Sequence, residues 1–273
     1  MTNARAFAPG NASCIFRICW NKNPAKAHSL GVGFTVDKGV IITARKSKKT
    51  EINFNNKRIG FPTVLSVIKK LVREPVEISI KSELPLGAGF GISGASALAT
   101  ALALGKLFKL KKSKKQLALV AHIAEVENRT GLGDVNGQFN GGFLIKTGKG
   151  YPLKAERLPI RDKYIYYKVF GKIETKKVLT DKSKEKKINK AAELALKKIK
   201  KIRNINLETI IEISKEFAVK SRLINRRLLK LTEDIEKNGG KASMIMLGDS
   251  IFSTIPFKGC KKIKISQNRA GLL

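Results

Sequence analysis

Apolar and polar residues alternate through Glu51-Ile-Asn-Phe-Asn55 and Val76-Glu-Ile-Ser-Ile-Lys81, a period of two that predicts half-buried strands. Gly31-Val-Gly-Phe-Thr-Val36 and Gly39-Val-Ile-Ile-Thr-Ala44 are richer in β-branched residues and predict two strands joined by a turn over Asp37-Lys-Gly39. A short helix is expected from Thr63 to Arg73. From Ala95 to about Phe108 the chain is apolar on every side, which predicts a helix buried at the centre of the fold. Ser113 is placed to cap a second long helix, Lys114 to Asn128. A strand follows over Gly141-Gly-Phe-Leu-Ile-Lys-Thr147, and Lys149-Gly-Tyr-Pro152 reads as a junction. Beyond it the pattern predicts a strand from Tyr164 to Phe170, amphipathic helices over Ile188–Ile202 and Leu207–Lys237, and a hairpin pairing 243–247 with 251–255. Runs of strands with segregated helices define an α+β class, in two units of residues 1–150 and 151–273.

The segment that joins strand to central helix carries the most chemistry. Glu83-Leu-Pro-Leu-Gly-Ala-Gly-Phe-Gly-Ile-Ser-Gly-Ala-Ser-Ala97 places Gly87, Gly89, Gly91 and Gly94 where exposed amides and the positive end of a helix make an anion site. Pro85 marks the end of the strand, since it lacks an N–H for the ladder. Ser93 and Ser96 bring hydroxyls to the helix start, where they can cap it or reach a phosphate-bound metal. The P-loop pattern is excluded, because no lysine occurs between Glu83 and Lys106. Gly89-Phe-Gly-Ile-Ser-Gly94 fits the letter of the dinucleotide fingerprint. The acidic residue that fingerprint needs about 20 positions on is missing.

Composition narrows the partners. At 273 residues and 42% hydrophobic content the chain can bury a core, and no apolar run reaches a membrane span. Three cysteines without a Cys-x-x-Cys pair indicate neither a disulfide framework nor a zinc site, so a reducing cytoplasm is expected. The net charge of +34 is divided almost equally between the two halves, with no basic tail. Aromatic residues make up only 7%, without the aromatic–basic interleaving of a nucleic-acid surface, so no specific nucleic acid is expected. The Lys-Lys pairs at 48–49, 111–112, 176–177 and 186–187 read as solvated faces, in a field that draws in small anions.

Two acids stand out in apolar surroundings. Glu125 lies three residues from His122 on one helix face, after a long stretch free of acids, and a carboxylate held there wants a cation. His122 reads as a packed histidine. Asp134 sits in the glycine-flexed Thr130-Gly-Leu-Gly-Asp-Val135, where it can serve as a proton acceptor or as a turn residue.

Pro85-Leu-Gly-Ala-Gly-Phe-Gly-Ile-Ser-Gly-Ala95 resembles the Pro-x-Gly-x-Gly-Leu-Gly-Ser-Ser-Ala signature of the GHMP kinase superfamily. Phe90 stands for the Leu, Ile92 for the first Ser and Gly94 for the first Ala, while Ser93 matches the second Ser. Ala8-Pro9-Gly10 is similar to the superfamily's opening motif, and Gly239-Gly-Lys-Ala-Ser-Met-Ile-Met-Leu-Gly248 to its glycine-rich third motif. Within the superfamily the order of Arg5-Ala-Phe-Ala-Pro-Gly10, Ala121-His-Ile-Ala-Glu-Val126, Thr130 to Val135 and Ala242 to Gly248 is most similar to the archaeal pantoate kinase family. Asn11 departs from the pattern, as that family tends to carry His there and mevalonate kinases Lys.

The resemblance implies a ribosomal-S5-like N-terminal domain, a ferredoxin-like C-terminal domain and an active site between them. It implies ATP bound by Pro85, Gly87, Ala88, Gly89, Phe90, Gly91, Ile92, Ser93 and Gly94, and Mg²⁺ held by Ser93 and Glu125. Asp134 matches the base that takes the proton of the substrate hydroxyl. The implied substrate is pantoate, with homoserine, shikimate or mevalonate as alternatives on the same scaffold, and a silent ligand- or nucleic-acid-binding member as the non-enzyme alternative. Ser29, in His28-Ser-Leu-Gly-Val-Gly33, matches a segment near the substrate. Arg5, Arg45 and Arg129 are candidate partners for a substrate carboxylate. A homodimer is an assembly the family allows.

Overall fold

The computed structural model describes residues 3–148, 152–160 and 163–273. The long strands β1 (Asn3–Cys19) and β2 (His28–Lys46) pair antiparallel along nearly their whole length and form the spine of the molecule. Around them an eight-stranded sheet has the order β12-β1-β2-β5-β3-β4. Here β3 is Glu51–Phe54, β4 Lys57–Arg58, β5 Val76–Ser82 and β12 Gly271–Leu272. The strand β6 (Phe143–Lys146) pairs with the first part of β2 and with β7 (Glu156–Arg157). A second, antiparallel sheet has the order β11-β8-β10-β9, from Lys261–Lys264, Tyr164–Gly171, Asp249–Ser253 and Ala242–Met244. Two sheets with helices packed against them make the expected α+β architecture.

The helix α2 (Ile92–Leu107) lies at the centre, against β1, β2, α1 (Pro62–Leu71) and α3 (Lys114–Asn128). Its residues from Gly94 to Leu104 are buried on all sides, which is why it carries no polar face. Ser113 caps α3 through a reciprocal box with Gln116, as its position predicts. The second sheet is joined to the first through aromatic rings: Phe34 stacks on Phe143 at 5.2 Å and meets Phe252 edge-on at 5.6 Å. All three rings are fully buried. The far half of β1 is clasped by the C-terminal helices. Asn189 of α6 (Lys182–Lys200) donates to and accepts from the Ile18 backbone, and Ser214 of α7 (Leu207–Lys220) donates to the Cys14 carbonyl.

Several elements differ from the pattern reading. The turn expected at Asp37-Lys-Gly39 is absent, because β2 stays paired to β1 on both sides of it. The three residues from Val36 to Lys38 are taken up as a bulge opposite Gly10. The segment Leu207–Lys237 is two helices, α7 and α8 (Arg226–Lys237). The chain turns at Arg222, with a left-handed φ of 58°, and Asn225 caps the second helix through the Leu228 N–H. Capped by Asp181, α6 starts at Lys182, six residues before the apolar period begins at Ile188, since the first turn is mostly lysine and glutamate. A short helix, α4 (Asp134–Asn140), replaces the loop expected around Asp134. The junction read at Lys149-Gly-Tyr-Pro152 lies outside the described residues except for Pro152. The Lys-Lys pairs at 48–49, 111–112, 176–177 and 186–187 are exposed, as solvated faces should be. Among the described residues no helix is long and apolar enough to cross a membrane.

Because Phe34 is the ring shared between both aromatic contacts, Phe34→Ala should destabilise the protein by about 3–5 kcal/mol in urea unfolding. A loss below about 1 kcal/mol would show that the rings do not join the sheets.

Candidate active site

The loop between β5 and α2 turns through Gly87, Gly89 and Gly91, each with positive φ. Gly91, at φ 59°, is the N-terminal flanking residue of α2, and no side chain caps the helix amides there. They face a cleft of about 790 Å³ lined by Gly87, Gly89, Gly91, Ser93 and Thr130, with Phe61 on its apolar side. Free amides at the positive end of a 16-residue helix suit an anion. The turn Ile245–Gly248 braces the loop from behind: a Cβ at Gly89 would stand 2.9 Å from Ile245 Cγ2 and 3.1 Å from the Gly248 backbone. Ser250 fixes it further by donating to the Ala88 carbonyl at 2.9 Å. The Phe90 ring points away from the cleft and packs edge-on against Tyr167 at 5.1 Å.

Two carboxylates converge beneath this helix start. A Cβ at Gly94 would lie 2.8 Å from Glu125 Oε2 and 3.0 Å from Asp134 Cβ, so only glycine admits both acids. Thr130 donates to Glu125 Oε1 at 2.8 Å, while Oε2 is buried without a hydrogen-bond partner. Burial first, and then the charge of Asp134, push the Glu125 carboxyl well above its ordinary range, against hydrogen bonds from Thr130 and Ser93. Burial raises Asp134 as well, opposed by the amide of Asn11, whose Nδ2 donates to Asp134 Oδ1 at 2.9 Å. A pair of acids held this close with an oxygen left bare offers a donor set that a cation would fit. Among the described residues no group of three His, Cys, Asp or Glu forms a metal site. Magnesium, which commonly uses one or two carboxylates plus phosphate oxygens and water, fits this donor set.

A smaller recess of about 50 Å³ opens on the far side of Asn11, lined by Asn11, Ser13, Ser29, Gly133, Asn136 and Lys146. It meets the large cleft at Ser13, which lines both. Lys146 is 7% exposed and donates to the Pro152 carbonyl at 2.9 Å. Desolvation lowers its ammonium to about 8, partly offset by Cys19.

The predicted residues are not all assembled. Gly87, Gly89, Gly91, Ile92, Ser93, Arg129 and Asp134 line the cleft, with Glu125 buried behind it, and Ser29 lines the recess. Ala88 and Phe90 are buried and offer only backbone, and Pro85 is exposed at the loop entrance. Arg5 is exposed on β1 and lines neither cavity. Arg45 is engaged with Glu77 at 2.7–2.9 Å. His122 is buried against the Ala27 carbonyl at 2.8 Å, and burial lowers it to about 4, consistent with a packed role. No pattern in the sequence assigns a role to Asn11 or singles out Lys146. A lysine inside the apolar strand Phe143-Leu-Ile-Lys146 was the only available signal for the second.

Comparison with known proteins agrees with this geometry. Residues 62–142 match the family described as GHMP kinases N terminal domain. The chain is 38% identical over 251 residues to a pantoate kinase of Methanocaldococcus jannaschii, covering 90% of each. It is 30% identical over 261 residues to a pantoate kinase of Methanospirillum hungatei, covering 93% of this chain and 88% of that one. A solved phosphotransferase related to the CoA biosynthesis pathway superposes with a TM-score of 0.87 at 26% identity, over 100% of this chain and 99% of that one. The chain belongs to the GHMP kinase family and, within it, to the group of the pantoate kinases. It is an ATP-dependent kinase.

The raised carboxyls make a stability prediction. Glu125 keeps its proton longer in the folded chain than in the unfolded one. Stability of the metal-free protein is therefore full below the ordinary carboxylate range and falls as pH climbs through the raised value. Glu125→Gln should remove much of that slope and raise the metal-free Tm at neutral pH. Thermal melts across a pH series check it, and an unchanged slope would contradict the raised carboxyl of buried Glu125.

Proposed function

We propose that the protein transfers the γ-phosphoryl group of ATP to the 4-hydroxyl of pantoate, giving 4-phosphopantoate for coenzyme A synthesis. The observation that carries this reading is the position of Asp134, held by Asn11 at the border between the glycine-lined cleft and the Lys146 recess. Phosphoryl transfer needs charge neutralisation, an aligned hydroxyl and a proton acceptor. The amides at the start of α2 would donate to the ATP phosphates. Ser93 and Glu125 would hold Mg²⁺, which when bound neutralises phosphate charge. The bare Oε2 of Glu125 supports that assignment.

Asn11 engages one Asp134 oxygen, leaving the other to accept the hydroxyl proton. The recess suits the carboxylate end of a small hydroxy acid: Lys146 supplies the cation and Ser29 a hydroxyl. Placing the carboxylate there directs the far hydroxyl back towards Asp134. Three cysteines without a Cys-x-x-Cys pair support a cytoplasmic setting.

An ADP-release assay against pantoate, homoserine, shikimate and mevalonate tests the substrate. Pantoate should be turned over fastest, and a faster alternative would overturn the assignment while leaving a kinase. Asp134→Asn should lower kcat by about 10²–10⁴-fold with little change in KM. Undiminished turnover would remove the base.

Lys146→Met should raise the pantoate KM far more than it lowers kcat. In the wild type, KM for pantoate should climb as pH rises through about 8, where the ammonium is lost. A flat KM across that range would move the carboxylate elsewhere.

A further inference from the structure

Ser93 and Glu125 come from different helices and are joined by two threonine hydroxyls that neither the glycine loop nor the carboxylate pair accounts for. Ser93 Oγ lies 3.3 Å from Thr63 Oγ1, Thr63 Oγ1 lies 3.1 Å from Thr130 Oγ1, and Thr130 Oγ1 lies 2.8 Å from Glu125 Oε1. Thr63 is 1% exposed, in the first turn of α1, and Thr130 follows the end of α3. The chain of hydroxyls thus ties three helices together beneath the anion site.

Its direction follows from counting protons. As a ligand of a cation Glu125 would be ionised and only accept, and each hydroxyl has one proton to give. Thr130 spends its proton on Glu125, so Thr63 donates to Thr130, and the single Ser93 proton goes inward too, to Thr63 or to Glu125 itself. The Ser93 proton is thereby committed to the protein interior, and its lone pairs are left for the cleft. A serine that ligates a cation needs that orientation.

We propose that Thr63 and Thr130 are positioning residues for the divalent cation, a hydroxyl relay anchored on Glu125 that presents the Ser93 oxygen as a ligand. The proposal rests on the reading of Ser93 and Glu125 as the cation's ligands. Partners of this kind orient ligands without touching the metal, and their loss typically weakens metal affinity about 10–100-fold. Thr→Val keeps the shape and removes the relay, whereas Thr→Ser keeps the hydroxyl.

The test is Mn²⁺ binding in the presence of ADP, followed by electron paramagnetic resonance, which needs no turnover. Thr63→Val and Thr130→Val should each weaken Mn²⁺ binding by about 10-fold or more, and Thr63→Ser and Thr130→Ser should restore most of it. The Mg²⁺ concentration for half-maximal activity should rise in the same order, with a smaller change in kcat at saturating metal. Thermal melts of all four variants establish that they are folded. Wild-type Mn²⁺ affinity in the folded valine variants overturns the relay, as does equal weakening in the serine variants. Ser93→Ala and Glu125→Gln separate the two levels of the argument. If they abolish Mn²⁺ binding while Thr63→Val does not, the relay alone fails. If they too leave it unchanged, the cation assignment falls and the relay with it.

Discussion

Two carboxylates brought together below the start of α2, Glu125 buried and Asp134 half-buried at the edge of the cleft, are the constraint around which this molecule is arranged. Neither is comfortable there: both are held above their ordinary protonation range by loss of water, and Glu125 also by the charge of its neighbour. Their separation is set by what is missing, the side chain that any residue other than glycine would place at position 94. The helix above supplies positive amide ends and the neighbouring hydroxyls supply protons, yet one Glu125 oxygen remains bare. The free protein thus stores an electrostatic strain that ligand binding can relieve. Function and stability pull in opposite directions at this point.

The rest of the fold holds that arrangement still. Asn11 reaches Asp134 from the middle of β1, and its backbone N–H donates to the Phe90 carbonyl in the glycine loop at 2.9 Å. The same strand touches the recess at Ser13 and Ile15. The excess of basic side chains plays no direct part at the acid pair, and much of it is held in surface contacts. Lys262 sits 4.0 Å over the Tyr164 ring, and Lys168 and Arg227 lie over Phe170 at 5.2 and 4.5 Å. Together they give a positive exterior around an acidic centre, a distribution that favours the approach of nucleotide and carboxylate from solution.

Much of this was legible in the sequence because it is local. The glycine loop, the cap at Ser113 and the lone acids Glu125 and Asp134 announce themselves within a few residues, and the apolar run from Ala95 marks the helix that must be central. The missed elements depend on distant partners or weak local signals. β1 is built around Ala4, Ala6, Ala8 and Ala12, residues with little strand preference of their own, and its burial comes from α2 and β2. The helix α4 is hidden among Gly131, Gly133 and Gly137, where the last of these makes room for Asn11. Asn11 and Asp134 are 123 positions apart, and Thr63 meets Thr130 across 67. No periodicity carries such pairings. They exist only once the helices have docked.

Because β1 threads both layers, pairing with β2 in one and lying under α6 and α7 in the other, its two ends cannot turn independently. Phe16 is locked edge-on against Phe217 at 5.8 Å, and the Met246 N–H donates to the Ser13 carbonyl at 3.1 Å. The wall of the cleft that bears Asn11 is therefore a fixed jamb. The opposite edge is the five-residue helix Thr175–Leu179, anchored by the buried side chains of Val178 and Leu179. The segment that leads into the five-residue helix Thr175–Leu179 joins the glycine loop through one backbone bond, from the Ile173 N–H to the Gly87 carbonyl. Glu174, Thr175 and Lys176 line the cleft from there. The two sides of the doorway thus differ in kind: one is a strand shared by both layers, the other a short, lysine-bearing helix and the segment that leads into it.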